Sequence, residues 1–331
     1  MRLTNQGIFV RRFGSSSASL RSLLPVQSII DRIDDIDIDD FRRRAFIPET
    51  PLLIKRKLAH ASTDSSSSAP SIPAAAKWFA RESIRTHGES SKLRQRLVLS
   101  QEYLQPFQDT ILPYELIDDL AGTSPQSHQQ GSQDVRAISQ PPESSRAKSF
   151  HRFNAPLSLF LRSCKTNSSR TPRLYIAQAQ IADLPKQLQD DLPTPRLVRE
   201  AGNGDIYDAN IWIGLPPTYT PLHRDPNPNL FVQLASSKQV RLYEPSVGAE
   251  IFQDVQRRIG RSSQANLRGE EMMDGPERDA LDEAVWGYSA TEPGFEAVIS
   301  PGEGLFIPKG WWHTIKSIGP EVTASVNWWF R

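Results

Sequence analysis

His223 and Asp225 stand two residues apart, and the histidine that would complete a metal-ligand set with them, His313, lies far downstream in the string GEGLFIPKGWWH. Successive side chains of a β-strand alternate between faces, so a His-x-Asp step puts an imidazole and a carboxylate on one side of one strand. The second imidazole must then arrive from a distant segment. Strands that pair across a barrel would bring it there.

A lone His-x-Asp is more often a surface loop or a satisfied polar pair than a ligand pair. Its surroundings argue otherwise. NIWIGLPPTYTPLHRD (Asn210 to Asp225) runs from an apolar strand through a proline-rich turn into the pair. NLFVQLASSKQVRLYEP (Asn229 to Pro245) reads as two β-type runs joined at Ala235 to Ser237, a hairpin with Lys238 at the start of its return strand. Strand patterns resume at Phe295–Ser300, Gly304–Pro308, Trp312–Ile318 and Val322–Phe330, and Pro301 to Gly304 fits a tight hairpin connection. Two imidazoles and one carboxylate on one face, with the other positions open, form the facial set of non-haem Fe(II) oxygenases. A structural zinc site would be closed by four protein ligands, usually several of them cysteines, and Cys164 is the only cysteine.

The strings around these ligands resemble the JmjC family of Fe(II)/2-oxoglutarate oxygenases, most closely its small cupin-like hydroxylases such as the asparaginyl hydroxylase that acts on the hypoxia-inducible factor. Thr220-Pro221-Leu222-His223-Arg224-Asp225 matches the family's Thr-Pro-x-His-x-Asp, with Asn229 and Lys238 following at family spacing. Ile307 to His313 matches the distal Ile-Pro-x-x-Trp-Trp-His, Asn327 stands on the strand after it, and RLYIAQAQ (Arg173 to Gln180) proposes Tyr175. The similarity runs from Arg173 to the C-terminus, with a weaker echo in Asp39 to Arg56.

The resemblance implies a mainly β fold, a double-stranded β-helix or jelly roll, with α-helices from the N-terminal half covering one sheet. It implies Fe(II) on His223, Asp225 and His313, with 2-oxoglutarate and O2 as co-substrates and succinate and CO2 as products. Lys238 suits the distal carboxylate of 2-oxoglutarate, because a cation in a pocket of low polarity gains from a charge-assisted hydrogen bond. Thr220 and Tyr175 would donate further bonds, and Asn229 and Asn327 would orient the metal-side carboxylate or a ligand. Trp311, Trp312, Trp328 and Trp329 read as core and pocket wall.

A protein side chain is the expected substrate, hydroxylated and not demethylated, since histone demethylases of the family more often carry Glu where Asp225 stands and usually sit beside reader or zinc modules. A lysine demethylase, an RNA nucleoside hydroxylase and a non-catalytic cupin-like binding module are the alternatives. A net charge of +1 gives RNA no electrostatic support. No stretch approaches a membrane span. Few residues follow Asn327, so the dimerising helices of the asparaginyl hydroxylase are not expected, and the oligomeric state is left open.

Residues 1–30 are rich in Arg and Ser, with Asp31 the first acid, which fits either a mitochondrial presequence or a disordered tail in a cytoplasmic or nuclear protein. Residues 31–331 are expected as one domain with a catalytic core over about 170–331 and low-complexity segments at 61–76 and 123–149. Asp31 to Arg44 reads as a solvated helix packing Ile33, Ile36, Ile38 and Phe41, and KWFARESIR (Lys77 to Arg85) as another helix. Glu250 to Tyr288, charged and helical, is expected as an insertion over the barrel mouth, where loops tune substrate choice. His60, His87, His128 and His151 have no ligand company in sequence.

Overall fold

The computed structural model describes residues 23–56, 72–85, 93–118, 149–165, 173–260, 273–288 and 290–331. In chain order the N-terminal half gives β1 (Leu24–Pro25), β2 (Ser28–Ile30), α1 (Ile38–Phe41), β3 (Leu52–Lys55), α2 (Ala74–Lys77), β4 (Phe79–Arg85), β5 (Leu93–Leu99) and α3 (Gln101–Leu104). Next come β6 (Ile111–Asp118), β7 (Ser149–Pro156), α4 (Leu157–Ser163), β8 (Arg173–Gln180), α5 (Lys186–Asp190) and α6 (Arg196–Glu200). The C-terminal half adds β9 (Ile206–Gly214), β10 (Tyr219–Arg224), β11 (Asn229–Ala235), β12 (Ser237–Tyr243), α7 (Pro245–Arg258) and α8 (Pro276–Trp286). It closes with β13 (Phe295–Ile299), β14 (Gly304–Ile307), β15 (Trp312–Ile318) and β16 (Thr323–Phe330).

Two sheets face each other, ordered β1-β13-β12-β15-β10 and β2-β3-β14-β11-β16-β9-β8-β6-β7, and β4 pairs with β5 apart from both. The eight strands from β9 to β16 divide equally between the two facing sheets, which is the expected jelly roll. Period-two alternation sorts each strand's side chains between layers. On β11 and β16, Leu230, Val232, Leu234, Val326, Trp328 and Phe330 turn outward into a core shared with α4, α5 and α6. Helices of the N-terminal half therefore do cover the larger sheet. Between the sheets, Phe231, Val240, Leu242, Ile299, Leu305, Ile307 and Trp311 pack as an inner core.

Several sequence expectations are corrected. The hairpin expected at Ala235 to Ser237 is a crossover: β11 pairs with β14 and β16, whereas β12 pairs with β13 and β15 in the other sheet. Ser236 makes the change of direction with φ 56. The turn through Gly302 (φ 84) likewise leads from one sheet to the other and does not form a hairpin. Local pattern reveals strands and turns, but which sheet a strand joins depends on partners far away in sequence.

The helix expected over Lys77 to Arg85 is strand β4, held by antiparallel pairing with β5 from Phe79↔Leu99 to Arg85↔Leu93. The low-complexity segment ends earlier than expected, since Ile72 and Ala74 are buried and α2 begins at Ala74; residues 61–71 lie outside the described residues. Asp31 to Arg44 is helical only from Ile38, where the Asp37 carboxylate accepts the Asp40 N–H as an N-cap, and one π-helical turn (Arg42–Phe46) follows. Its apolar residues Ile33, Ile36, Ile38 and Phe41 are all buried as expected. The boundary drawn at residue 30 falls inside the fold, because β1 pairs with β13 and β2 with β3; residues 1–22 lie outside the described residues, as do 119–148.

The segment expected over the barrel mouth packs elsewhere. Ile251, Phe252 and Val255 of α7 with Leu281 and Val285 of α8 cover Leu222, Tyr243 and Trp312 on the outer face of the five-stranded sheet. Leu222 and Trp312 each precede a histidine of the metal-ligand set, so this helical pair backs the strands that carry His223 and His313. At Gly248 on α7 an added Cβ would lie 2.1 Å from Trp312 Cγ, so only glycine allows the helix so close. Residues 261–272, between the helices, lie outside the described residues.

Candidate metal centre

β10 and β15 pair antiparallel, with His223 opposite His313 and Thr220 opposite Ile315. Three residues of β10 thus span two of β15, a bulge at Pro221 and Leu222. In a regular strand residues 220 and 223 would point to opposite faces. The bulge turns both into the space between the sheets, and Pro221 suits it because proline has no ladder donor to lose.

The imidazole centroids lie 4.2 Å apart. Nε2 of His223 is 3.9 Å from Asp225 Oδ1 and Nε2 of His313 is 3.6 Å from Asp225 Oδ2. One donor atom from each residue falls within 4.8 Å of the others, the only such group of three or more among the described residues. Nδ1 of His223 is 2.9 Å from the Pro221 carbonyl and Nδ1 of His313 is 3.1 Å from that of Trp311. A carbonyl can only accept, so Nδ1 carries the proton in both rings and each Nε2 lone pair faces the shared point.

Asp225 is buried, and its Oδ2 accepts from Asn229 Nδ2 (3.0 Å) and Trp329 Nε1 (2.8 Å). Burial alone would raise its pKa, but His313, His223 and these two donors outweigh it and hold the carboxyl below its ordinary range. Burial, aided by the neighbouring His223, lowers His313 to about 4, so its imidazole is neutral near pH 7. A carboxylate and two imidazoles whose Nε2 atoms converge on one point fit a divalent metal such as Fe(II).

The cavity beside this point holds about 350 Å³ of empty space out to its mouth. Tyr175, Thr220, Asn229, Lys238 and Asn327 all line it with the three ligands, so every residue singled out from sequence lies on one wall system. Lys238 is 2% exposed and donates to Ser325 Oγ at 2.9 Å, with no carboxylate partner among the described residues. Its ammonium otherwise faces the rings of Phe231 and Tyr175, at 5.4 and 5.9 Å from their centroids. Burial lowers its pKa to about 7. A buried cation without an anion, across a cavity from a metal site, fits the distal carboxylate of 2-oxoglutarate.

Burial also raises the Tyr175 phenol well above its ordinary range, keeping it a donor. Its ring packs over Gly214, where an added Cβ would meet it at 2.4 Å. Asn327 Nδ2 donates to Asn229 Oδ1 at 3.0 Å, which continues the chain of bonds that starts at Asp225 Oδ2. Asn327 therefore acts on the ligand through Asn229.

Two roles escaped the sequence reading. Trp329, expected only as wall, donates to the ligand carboxylate, and Ser325 holds Lys238. Period two on β16 contains the signal: Ser325 and Trp329 flank Asn327 at two residues and share its inward face. Trp328, one step out of phase, is fully buried in the outer core. Of the four remote histidines, His151 lies exposed on β7, and His60, His87 and His128 lie outside the described residues.

The cupin-like domain family matches residues 71–331. Lysine-specific demethylase JMJ30 of Arabidopsis thaliana is 31% identical over 173 residues, which is 52% of this chain and 37% of the relative. Lysine-specific demethylase 8 of Danio rerio is 29% identical over 47% of this chain and 36% of its own length. JmjC domain-containing protein C of Dictyostelium discoideum is 29% identical over 48% of this chain, again 36% of its own length. The chain thus spans little more than a third of these relatives. Two of the three have demethylase names, where a hydroxylase was the expected neighbour.

Proposed function

The chain belongs to the cupin-like (JmjC) domain family, and from that premise we propose that it is an Fe(II)- and 2-oxoglutarate-dependent dioxygenase that hydroxylates a side chain of a protein substrate. One observation carries the reading: the buried, anion-free Lys238 lines the same cavity as His223, Asp225 and His313. A metal-binding module with no co-substrate would gain nothing from burying that cation.

In this reading His223, Asp225 and His313 would hold Fe(II), and Lys238 would take the distal carboxylate of 2-oxoglutarate. When bound, Fe(II) with 2-oxoglutarate and O2 supplies the oxidising power to insert oxygen into a C–H bond, with release of succinate and CO2. The protein's part is placement. Lys238, Thr220 and Tyr175 fix one end of the co-substrate, and the Asn229–Asn327 pair and Trp329 fix the ligand carboxylate. Trp212 and Trp329, both half-buried, wall the approach and limit water.

The second reading, removal of an N-methyl group from lysine, is favoured by the names of the relatives. Asp225 at the carboxylate position favours hydroxylation. Mass spectrometry of candidate peptides incubated with the Fe(II)-loaded protein and 2-oxoglutarate separates them. A stable gain of one oxygen supports the proposal. Formaldehyde release with methyl loss, and no hydroxylated product, would overturn it in favour of demethylation.

A further inference from the structure

The β10 bulge sets the spacing between Thr220 and His223, yet β10 is an edge strand with β15 as its sole neighbour and is interrupted by Pro221. An edge strand with a broken ladder needs another restraint. Thr314, fully buried on β15 next to His313, donates its Oγ1 hydroxyl to the Thr220 carbonyl at 2.8 Å. The same Oγ1 accepts from Trp286 Nε1 on α8 at 3.1 Å. Trp286 is itself fixed on the outer face of the sheet. The Arg241 guanidinium lies 4.3 Å and Lys316 Nζ 4.8 Å from its ring centroid, and Lys316 pairs with Asp282 of α8 at 2.5 Å.

We propose that Trp286 and Thr314 are positioning residues: through the Thr220 carbonyl they clamp the β10 bulge from behind and thereby set where the Thr220 side chain meets the co-substrate. The inference rests on the co-substrate reading above and adds to it a role for the helix pair outside the barrel. Neither residue touches the cavity. A hydroxyl that accepts from the indole has its single proton free for the carbonyl, so the relay has a fixed direction.

The test compares Thr314→Val, which keeps shape and removes the hydroxyl, with Thr314→Ser, which keeps the hydroxyl, and Trp286→Phe, which keeps an aromatic ring and removes the N–H. Hydrogen–deuterium exchange of the metal-free protein reads the bulge directly, and calorimetric titration of the Mn(II)-loaded protein with 2-oxoglutarate reads the consequence. The loss of one hydrogen bond predicts faster exchange across Tyr219–Arg224 and a roughly threefold to tenfold weaker 2-oxoglutarate affinity in Thr314→Val. Trp286→Phe should fall between it and the parent, Thr314→Ser should stay near the parent, and Mn(II) affinity should be unchanged throughout. Unchanged 2-oxoglutarate affinity in Thr314→Val, or metal affinity falling in step with it, would overturn the positioning role. Should the unaltered protein bind no 2-oxoglutarate, the co-substrate reading falls; exchange at Tyr219–Arg224 would still decide the clamp, faster exchange supporting it and unchanged exchange refuting it.

Discussion

Lys238→Met separates what the buried cation costs the fold from what it does for the ligand. Lys238 ionises at about 7, against 10.5 in the unfolded chain, because burial disfavours its charge. At about 1.4 kcal/mol for each tenfold change in proton affinity, holding the ammonium in that site costs on the order of 4 to 5 kcal/mol. Between the two values the unfolded chain binds the extra proton, so the ligand-free protein gains stability as pH rises from about 7 towards 10. Methionine keeps the stem and drops the charge. Lys238→Met should therefore be more stable than the parent at pH 7 by roughly 1 to 4 kcal/mol, an advantage that fades as the pH approaches 10. Its 2-oxoglutarate affinity should fall at least about tenfold, the equivalent of one charge-assisted hydrogen bond. Denaturant unfolding of the ligand-free proteins at pH 7 and pH 9.5, with calorimetric titration of 2-oxoglutarate, gives both numbers. A variant less stable than the parent at pH 7, or one that binds 2-oxoglutarate equally well, would refute the reasoning.

Three further outcomes are expected. Trp329→Phe removes one donor from Asp225 Oδ2 and should weaken metal binding about tenfold to a hundredfold, measured by competition with a chelating dye, while the fold persists. Gly248→Ala forces a Cβ against Trp312 beside His313 and should lower stability by roughly 1 to 3 kcal/mol in thermal unfolding, with weaker metal binding as well. The Asp225 carboxyl, held below 3.8, loses its contribution only at pH below that value, whereas His313 ionises at about 4 against 6.5 in the unfolded chain, so the metal-free protein loses stability as pH falls from about 6.5 towards 4. Unfolding curves across that range should show the loss, and His313→Gln should flatten it.

Much of the site was legible because its parts obey local rules. His223 on β10 and Asp225 just past its end, two residues apart as strand periodicity requires, and Thr220, Asn229, Lys238, His313 and Asn327, which lie in strings that the family shares, all line one cavity. What stayed hidden was non-local. The strand pattern of Asn229 to Pro245 was plain, yet its two runs belong to different sheets, a choice made by β14, β16, β13 and β15. Lys77 to Arg85 reads as helix, yet from Phe79 onward it becomes strand by pairing with β5. The α7–α8 segment was recognised as helical, but its apolar stripe matches the outer face of the ligand-bearing sheet, a surface formed only once the sheet exists. The bulge at Pro221 had a visible cause in the proline, although only the register with β15 shows that it aligns Thr220 with His223.

The central claim is that His223, Asp225 and His313 hold a metal that works with 2-oxoglutarate in the adjoining cavity. Succinate formation from 2-oxoglutarate by anaerobically Fe(II)-loaded protein on admission of O2, with parent and Asp225→Ala assayed side by side, tests it most directly. Succinate from the parent should depend on both Fe(II) and O2, and a folded Asp225→Ala should give none above background. Equal rates in the two proteins would contradict that claim.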